Sequence, residues 1–498
     1  MKKQKTIVVI GGGIGGLASA SLLAKEGFKV ILLEKNQDIG GRARFLKINN
    51  FVFDRGPSWY MMPEVFENFF KLFGKKRKDF YDLEKLKINY RVFFEDNTII
   101  DVFSDLKKNI KIFDSLEKGS GKKLLKILQK AEFIYKSSME SLVYQDYKDL
   151  LKLVKPKILF NLLKFNLFQS LHSYIKKEIK NEKLQKILEY TTVFLGGSPY
   201  NTPAFYQLVS YADFKLGIYY PKGGMYSIVK ALEKLCKDYG VIIKTNAEVK
   251  KVKILNKEIK EVHTNKSIYK TNLVIVNADY PYFETKIIPP EYQTYNKEYW
   301  QKKVFSPSVF LIYLGIKDAL LKSQHHNLYF TKNWEKHFKT VYYEKKLPEE
   351  PSFYWHVPSK TDKNMAPKDA HSVMILVPMA PGLFLTKKDE ESFYQKIIEK
   401  FSQLNEIKNI QDKIIVKKIS QAKNFLSDYN ATKGSAFGIA HTLFQTAIFR
   451  PKNFSKKIRN LFYVGQYTNP GVGVPPVLIS SQIVYNLAKE YLRKNEGL

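Results

Sequence analysis

Hydrophobic positions along the chain fall into distinct textures. Short unbroken apolar runs at Thr6–Ile10 and Phe28–Glu34 predict buried parallel strands, and helically spaced Leu17–Ala24 lies between them, ending at Gly27. Strand, glycine turn, helix and strand within about 30 residues make the opening βαβ unit of a dinucleotide-binding fold. Asn49-Asn50 and Asp96-Asn97 predict hairpins joining Phe45–Ile48 to Phe51–Asp54 and Tyr90–Phe94 to Thr98–Phe103. From Ser104 to about Tyr190 the apolar positions take helical spacing among lysines, interrupted at Gly119-Ser120-Gly121 and Pro156, which reads as a helical insertion.

An α/β texture returns near Tyr219. It predicts a helix through Lys237 and strands at Val241–Lys244, Glu248–Ile254 and Thr271–Asp279. Farther on come strand-like segments at Val304–Ile316 and Val373–Met379, a helix at Glu390–Leu404 and a loop at Asp428–Gly438. The strand Leu461–Val464 then runs through a Gly/Pro turn into a helix from about Pro476 to Leu492. No run of about 18 apolar residues and no secretory-signal pattern is present, so neither a membrane span nor export is expected.

Composition narrows this picture. At 498 residues, with 44% hydrophobic and 14% aromatic content, the chain can bury a large core and is neither disordered nor low-complexity. A single cysteine, Cys236, excludes an intramolecular disulfide and thiol-rich metal sites; its place in an apolar helical pattern makes it a core residue. The formal charge of +34 comes mostly from lysine, since only 8 of the 82 basic residues are arginine. Lysine spread along the whole chain reads first as a solvated surface and second as attraction to an anionic membrane; no nucleic-acid partner is expected.

The chemistry begins at the glycines, 9 of the 26 lying in the first 60 residues. Gly11, Gly13 and Gly16 form G-x-G-x-x-G between strand and helix, with Ile14 and Gly15 opening the helix and Glu34 ending the second strand. The glycines allow a tight turn and close approach of a pyrophosphate, and the helix N-terminus supplies N–H donors. Glu34 would accept hydrogen bonds from an adenosine ribose, and its charge disfavours NADP. Downstream, Gly40-Gly41-Arg42-Ala43-Arg44 and Arg55 gather three of the eight arginines, which suggests bidentate anion recognition. A second glycine pair suits the longer FAD better than NAD. The Gly465–Pro476 turn can aim another helix N-terminus at the flavin end of the same cofactor.

These motifs resemble the phytoene desaturase family of FAD-dependent bacterial-type carotenoid desaturases. The likeness spans nearly the whole chain: VVIGGGIGGLASASLLAKEGFKVILLEKN, GGRAR, FVFDRGPSWYMMPEVF, FLGGSPYNTPAFYQLVSYAD, YYPKGGMYSIVKAL, VNADY and VGQYTNPGVGVPPVLISSQIV. It implies an α/β fold: a Rossmann-like FAD-binding domain of the amine-oxidase type, with an inserted substrate domain and a helical, membrane-facing subdomain. The expected division is 1–60, 215–285 and 455–498 for FAD, 61–103 and 286–454 for substrate, and 104–214 for the helices. Expected cofactor contacts are Gly11, Gly13, Ile14, Gly15, Gly16, Glu34, Lys35, Gly41, Arg42, Gly56, Pro57, Ser58, Val249, Gly465, Thr468, Gly471 and Val472. Many relatives carry His where Asn469 stands, and other flavoproteins carry Asp in place of Gln466, so no side-chain role is taken over there.

The resemblance implies an enzyme of carotenoid biosynthesis that desaturates a C40 polyene, phytoene, toward lycopene-like products. Hydride would pass to flavin, and oxygen or a quinone would receive the electrons. A 3,4-desaturase, a C30 diapophytoene desaturase, an oxidase or isomerase, and more remotely an amine oxidase would share these motifs. A cytoplasmic enzyme peripherally attached to a membrane is expected, because its hydrocarbon substrate resides there. The stretch Leu150–Phe168 is the candidate docking segment, with Phe160, Leu163 and Phe165 as its apolar contacts. No catalytic side chain is assigned and no metal is expected: His325-His326 reads as structural or solvated because neighbours on a strand face opposite sides. Asp213, Asp279 and Glu284, conceivable proton acceptors, read first as caps or turn formers.

Overall fold

The computed structural model describes residues 4–149, 165–317 and 320–494. A five-stranded parallel sheet runs in the order Leu461–Tyr463, Leu273–Val276, Thr6–Ile10, Lys29–Leu33, Ile242–Lys244. Its strands are unbroken apolar runs because both faces are covered. Ile7 and Val9 pack against the helices Ile14–Lys25, Tyr226–Asp238 and Val474–Lys494. Val8 and Ile10 face a three-stranded antiparallel sheet, Val249–Leu255, Glu258–Thr264 and Ile268–Lys270. Eleven of the twelve residues of the helix Ile14–Lys25 are buried. Its Gly, Ala and Ser positions let the chain's final helix approach closely, so the two ends of the sequence pack together.

The second body is a seven-stranded mixed sheet, ordered Ile414–Ser420, Ser308–Lys317, Ala370–Met379, Phe353–His356, His326–Phe330, Ile88–Phe94, Ile99–Phe103. Phe310, Ile312 and Leu314 face the helix Lys387–Asn405, while Val309, Leu311 and Tyr313 face the opposite way. On that opposite side Leu124 and Ile127 of Ser120–Ser141, Ile175 of Leu171–Glu178 and Ile187 of Glu182–Glu189 join the core. Asp105, Ser170 and Asn181 cap three helices of the insertion through side chains that accept from first-turn N–H groups.

Both hairpins form, and Asn49, Asn50 and Asn97 take the positive φ their turns require. Most of Leu150–Phe168, with Phe160 and Leu163, lies outside the described residues. Phe165 is buried against Phe133 and Phe205 instead of facing outward, because it closes a hydrophobic cluster beside the helices.

Candidate functional site

A cavity of about 580 Å³ extends from the carboxyl ends of the parallel strands, at Ile10, Leu33, Val276 and Val464, to Val309, Leu311 and Leu328 on the inner face of the seven-stranded sheet. Its first end is built from backbone. Gly11 holds φ +98°, and a Cβ at Gly13 would lie 2.7 Å from the Asn277 side-chain nitrogen. A Cβ at Gly41 would reach 3.3 Å from the Gly13 Cα, so the second glycine pair roofs the first. Gly16 does not line the cavity; its missing side chain lets the helix sit on the strand, where a Cβ would fall 2.0 Å from the Gly11 carbonyl oxygen. The helix beginning at Ile14 therefore fronts the cavity with the unpaired N–H groups of its first turn.

Glu34 is buried beside this floor. Its Oε2 accepts from Gly12 N–H at 2.8 Å, and its Oε1 accepts from the backbone and side-chain nitrogens of Asn36, each at 2.8 Å. Ala247 N–H donates to the Glu34 carbonyl at 2.8 Å, which brings Val249 to the same wall. Lys35, half-buried, also lines the cavity and donates to Ser427 O at 2.7 Å and Asn430 Oδ1 at 3.1 Å.

The three clustered arginines part company. Arg44 and Arg55 both donate to Asp428 Oδ2, at 3.0 and 2.7 Å, so their anion is internal. Arg42 lies on the cavity wall with Nε buried and unpartnered, its guanidinium 5.1 Å from the Tyr429 ring centroid. Gly56, Pro57 and Ser58 continue the wall, and a Cβ at Gly56 would press to 2.9 Å from the Arg42 carbonyl oxygen. A buried guanidinium donor without a protein partner, beside a helix N-terminus, fits the diphosphate of a dinucleotide.

The C-terminal turn forms the middle of the cavity through Gly465, Thr468, Asn469, Val472 and Val474. Gly471 stands behind it: φ is +134°, and a Cβ would lie 2.2 Å from His441 Cε1. Both amide atoms of Asn469 and Nε2 of Gln466 are buried with no protein partner, again fitting a polar ligand in the cavity. The turn is held by Arg450, which is fully buried and donates to the carbonyls of Thr468 (3.0 Å), Gln445 (3.0 Å), Ile439 (3.4 Å) and Gln466 (2.5 Å). Burial without a carboxylate lowers its pKa to about 10. His441 Nε2 accepts from Val472 N–H at 3.3 Å and Nδ1 meets the Tyr206 hydroxyl at 2.6 Å, so the imidazole, kept neutral by burial, braces the same turn.

Beyond the turn the walls are aromatic, including Trp59, Tyr190, Phe194, Phe330, Trp334 and Phe338. Asp279 lines the cavity, but its carboxylate caps Tyr280–Tyr282 and accepts from Thr432 and from the Tyr467 hydroxyl at 2.6 Å. Asp213 is no cap. It is buried behind Tyr190, accepts from the hydroxyls of Tyr90 (2.9 Å) and Tyr190 (3.2 Å), and is pushed up to about 7 by burial. Glu284 is buried against the Tyr463 hydroxyl and Tyr295 N–H, away from the cavity wall. Cys236 is a core thiol that burial pushes up to about 12.

His325 and His326 do not diverge. The strand begins at His326, so alternation does not govern His325, and both rings turn toward His356 on the neighbouring strand, all three buried. Spacing along the chain also gave no sign of the roles of Arg450, Asn277 or Asp428, which depend on chain segments that meet only in the fold. The rarity of arginine was the one available signal for Arg450.

A family model for flavin containing amine oxidoreductase matches residues 14–484. The chain is 39% identical over 480 residues to a carotenoid 3,4-desaturase of Haloarcula japonica, covering 96% of each protein. It is 32% identical over 483 residues to a zeta-carotene-forming phytoene desaturase of Myxococcus xanthus, covering 96% of this chain and 93% of that one. Among solved structures, an oxidoreductase from Methanosarcina mazei shares the fold with a TM-score of 0.62 at 18% identity, over 97% of this chain and 100% of the other. On the strength of the family match and of relatives aligned end to end, the chain belongs to the carotenoid desaturases within the flavin-containing amine oxidoreductases and is an FAD-dependent oxidoreductase.

Proposed function

We propose that the glycine-lined end of the cavity holds the ADP half of FAD and that its aromatic end holds a C40 polyene for desaturation. The observation that carries this reading is the continuity of one cavity from a backbone-built anion cradle to an apolar chamber. Gly11, Gly13, Ile14, Gly15 and Gly41 admit the diphosphate, Arg42 supplies its charged donor, Glu34 receives ribose hydroxyls, and Val249 borders the adenine. Gly56, Pro57 and Ser58 close over the ribityl region, with Gly465, Thr468 and Val472 opposite and Lys35 at the rim. Gly16 and Gly471 act indirectly, by allowing helix and turn to pack. When bound, FAD supplies the two-electron acceptor that removal of hydrogen from adjacent carbons requires, with oxygen or a quinone taking the electrons onward. The protein's own part is to align the hydrocarbon and exclude water.

The division into FAD, substrate and helical parts follows the same logic, with 1–60, 215–285 and 455–498 serving the cofactor. Phytoene and an already conjugated C40 carotenoid are both substrates of the reaction class. The higher identity to a 3,4-desaturase favours the conjugated one, with phytoene as the second reading. Expression in one host that accumulates phytoene and in another that accumulates lycopene, followed by pigment chromatography, separates the two. A longer chromophore from lycopene alone is expected. Conversion of phytoene alone selects the second reading, and no conversion of either by FAD-loaded protein overturns both.

We further propose that substrate enters from a membrane surface beside Ala447. No helix among the described residues is long and apolar enough to cross a membrane. Thr446 and Ala447 line the cavity, and next to them Phe444 is 70% exposed, with Ile448 and Phe449 also exposed.

A further inference from the structure

The three buried histidines form a cluster outside the cavity lining. One ring nitrogen from each of His325, His326 and His356 lies within 4.8 Å of the other two. His325 Nε2 and His356 Nε2 are 3.0 Å apart. The outward nitrogens of two rings are already engaged: His325 Nδ1 meets Thr361 Oγ1 at 2.7 Å, and His326 Nδ1 meets the Tyr354 hydroxyl at 2.7 Å. Such outer hydrogen bonds fix ring orientation and turn the opposite nitrogen inward, as they do around protein-bound metals. His326 Nε2 is then buried with no partner at all, and so is His356 Nδ1. A fourth group stands close by, the buried and unpartnered hydroxyl of Tyr220, whose ring centroid is 4.7 Å from that of His325. A cation among the inward nitrogens would give the orphaned His326 Nε2 a partner, and its fourth position would lie near the unpartnered Tyr220 hydroxyl.

We propose that His325, His326 and His356 bind a first-row divalent cation of the zinc class, with an oxygen donor completing four-coordination. Imidazole nitrogens suit zinc, copper, nickel and iron, and a three-histidine set with one oxygen donor is a four-coordinate arrangement that zinc takes. Tetrahedral bonds of about 2.0–2.1 Å hold ligand nitrogens about 3.3–3.4 Å apart, so on binding the His325–His356 pair opens by a few tenths of an ångström and His326, within 4.8 Å of both, closes toward them. The site ties the loop before His326–Phe330 to the end of Phe353–His356. Trp59, stacked on His326 at 4.1 Å, and Tyr354, bonded to Ser58 at 2.9 Å, connect it to the cavity wall. The cation would thus act as a structural pin behind the substrate chamber.

The test uses the full chain with its flavin, treated with a chelator, exchanged into Zn2+ or Co2+, and freed of loose metal by gel filtration. About one equivalent per chain is expected, together with a raised melting temperature and, for Co2+, the strong visible bands of a tetrahedral site that Zn2+ abolishes. His356→Gln is expected to retain at least about 10-fold less metal while keeping its flavin. The Co2+ spectrum of the unaltered protein decides the matter even if the variant does not fold. Absence of both retained metal and ligand-field bands in the unaltered chain overturns the proposal, as does equal retention by a folded His356→Gln protein.

Discussion

The two ends of the cavity are built on opposite principles. At the glycine-lined end the backbone makes the site: glycines without Cβ atoms, a helix N-terminus, and Glu34 locked by Gly12 and Asn36. At the aromatic end side chains make it, through rings from several distant stretches of sequence. A backbone-built site tolerates almost no change, because a Cβ cannot be moved aside, whereas a wall of side chains can repack. The glycine-lined end should therefore fail sharply on substitution, and the aromatic chamber should change by degrees.

The largest effect is expected at Gly16, where an added methyl would lie 2.0 Å from the Gly11 carbonyl oxygen. Helix and strand must separate to admit it. Gly16→Ala protein should therefore be recovered with little or no FAD and a lower melting temperature, read by absorbance and calorimetry. Arg42→Gln makes a finer cut at the same end. It removes a charged donor that nothing else in the protein uses at Nε, so the fold should persist while FAD affinity falls about 10- to 100-fold, as loss of a charge-assisted hydrogen bond predicts. Full FAD occupancy and unchanged affinity in both variants would remove the contrast.

The same division explains what could be read from the sequence. Glycine spacing, the flanking apolar runs and an acid about twenty residues on are local features, and the fold places them where local rules require. Asn49-Asn50 and Asp96-Asn97 likewise announced their hairpins through residues that tolerate positive φ. The seven-stranded sheet is different. His326–Phe330 and Phe353–His356 are buried strands of four or five residues, and burial on both faces erases the alternation that would identify them. The three histidines converge because those strands pair with His326 opposite His356, a register that no single segment specifies. Arg44 and Arg55 looked like ligand-binding residues because Asp428, their partner, lies more than 370 residues away in sequence.

A second expected effect lies beside the chamber and is moderate. Asp213, buried with the Tyr90 and Tyr190 hydroxyls, is held at about 7, above the carboxylate value of an unfolded chain. The folded protein then binds a proton that the unfolded chain has released, so stability is fully present below about pH 4 and is lost as pH rises through about 7. Three units correspond to at most about 4 kcal/mol. Asp213→Asn keeps the shape without the charge and should flatten the fall in melting temperature between about pH 4 and pH 7, with FAD content unchanged. An identical pH profile in the variant would mean that water reaches Asp213 and that this part of the chamber is not dry.

The smallest effect on the folded molecule is expected at the chamber's outer rim, and there the contrast can be broken most directly. Phe444 and Phe449 are exposed and lie near each other, with ring centroids 5.7 Å apart, beside cavity-lining Thr446 and Ala447. Solvated rings contribute little to folding, so Phe444→Ser with Phe449→Ser should leave the melting temperature and FAD occupancy unaltered. Burying two aromatic side chains in a lipid interface is worth about 1.5–3 kcal/mol each at most, so flotation with vesicles should fall by 10-fold or more if this rim inserts. The surrounding lysine surface would add an attraction to anionic lipid that salt screens, whereas the aromatic contribution would survive high salt. Flotation that vanishes in salt for the unaltered protein and is indifferent to both serines would assign membrane contact to charge alone and leave the rim without a docking role.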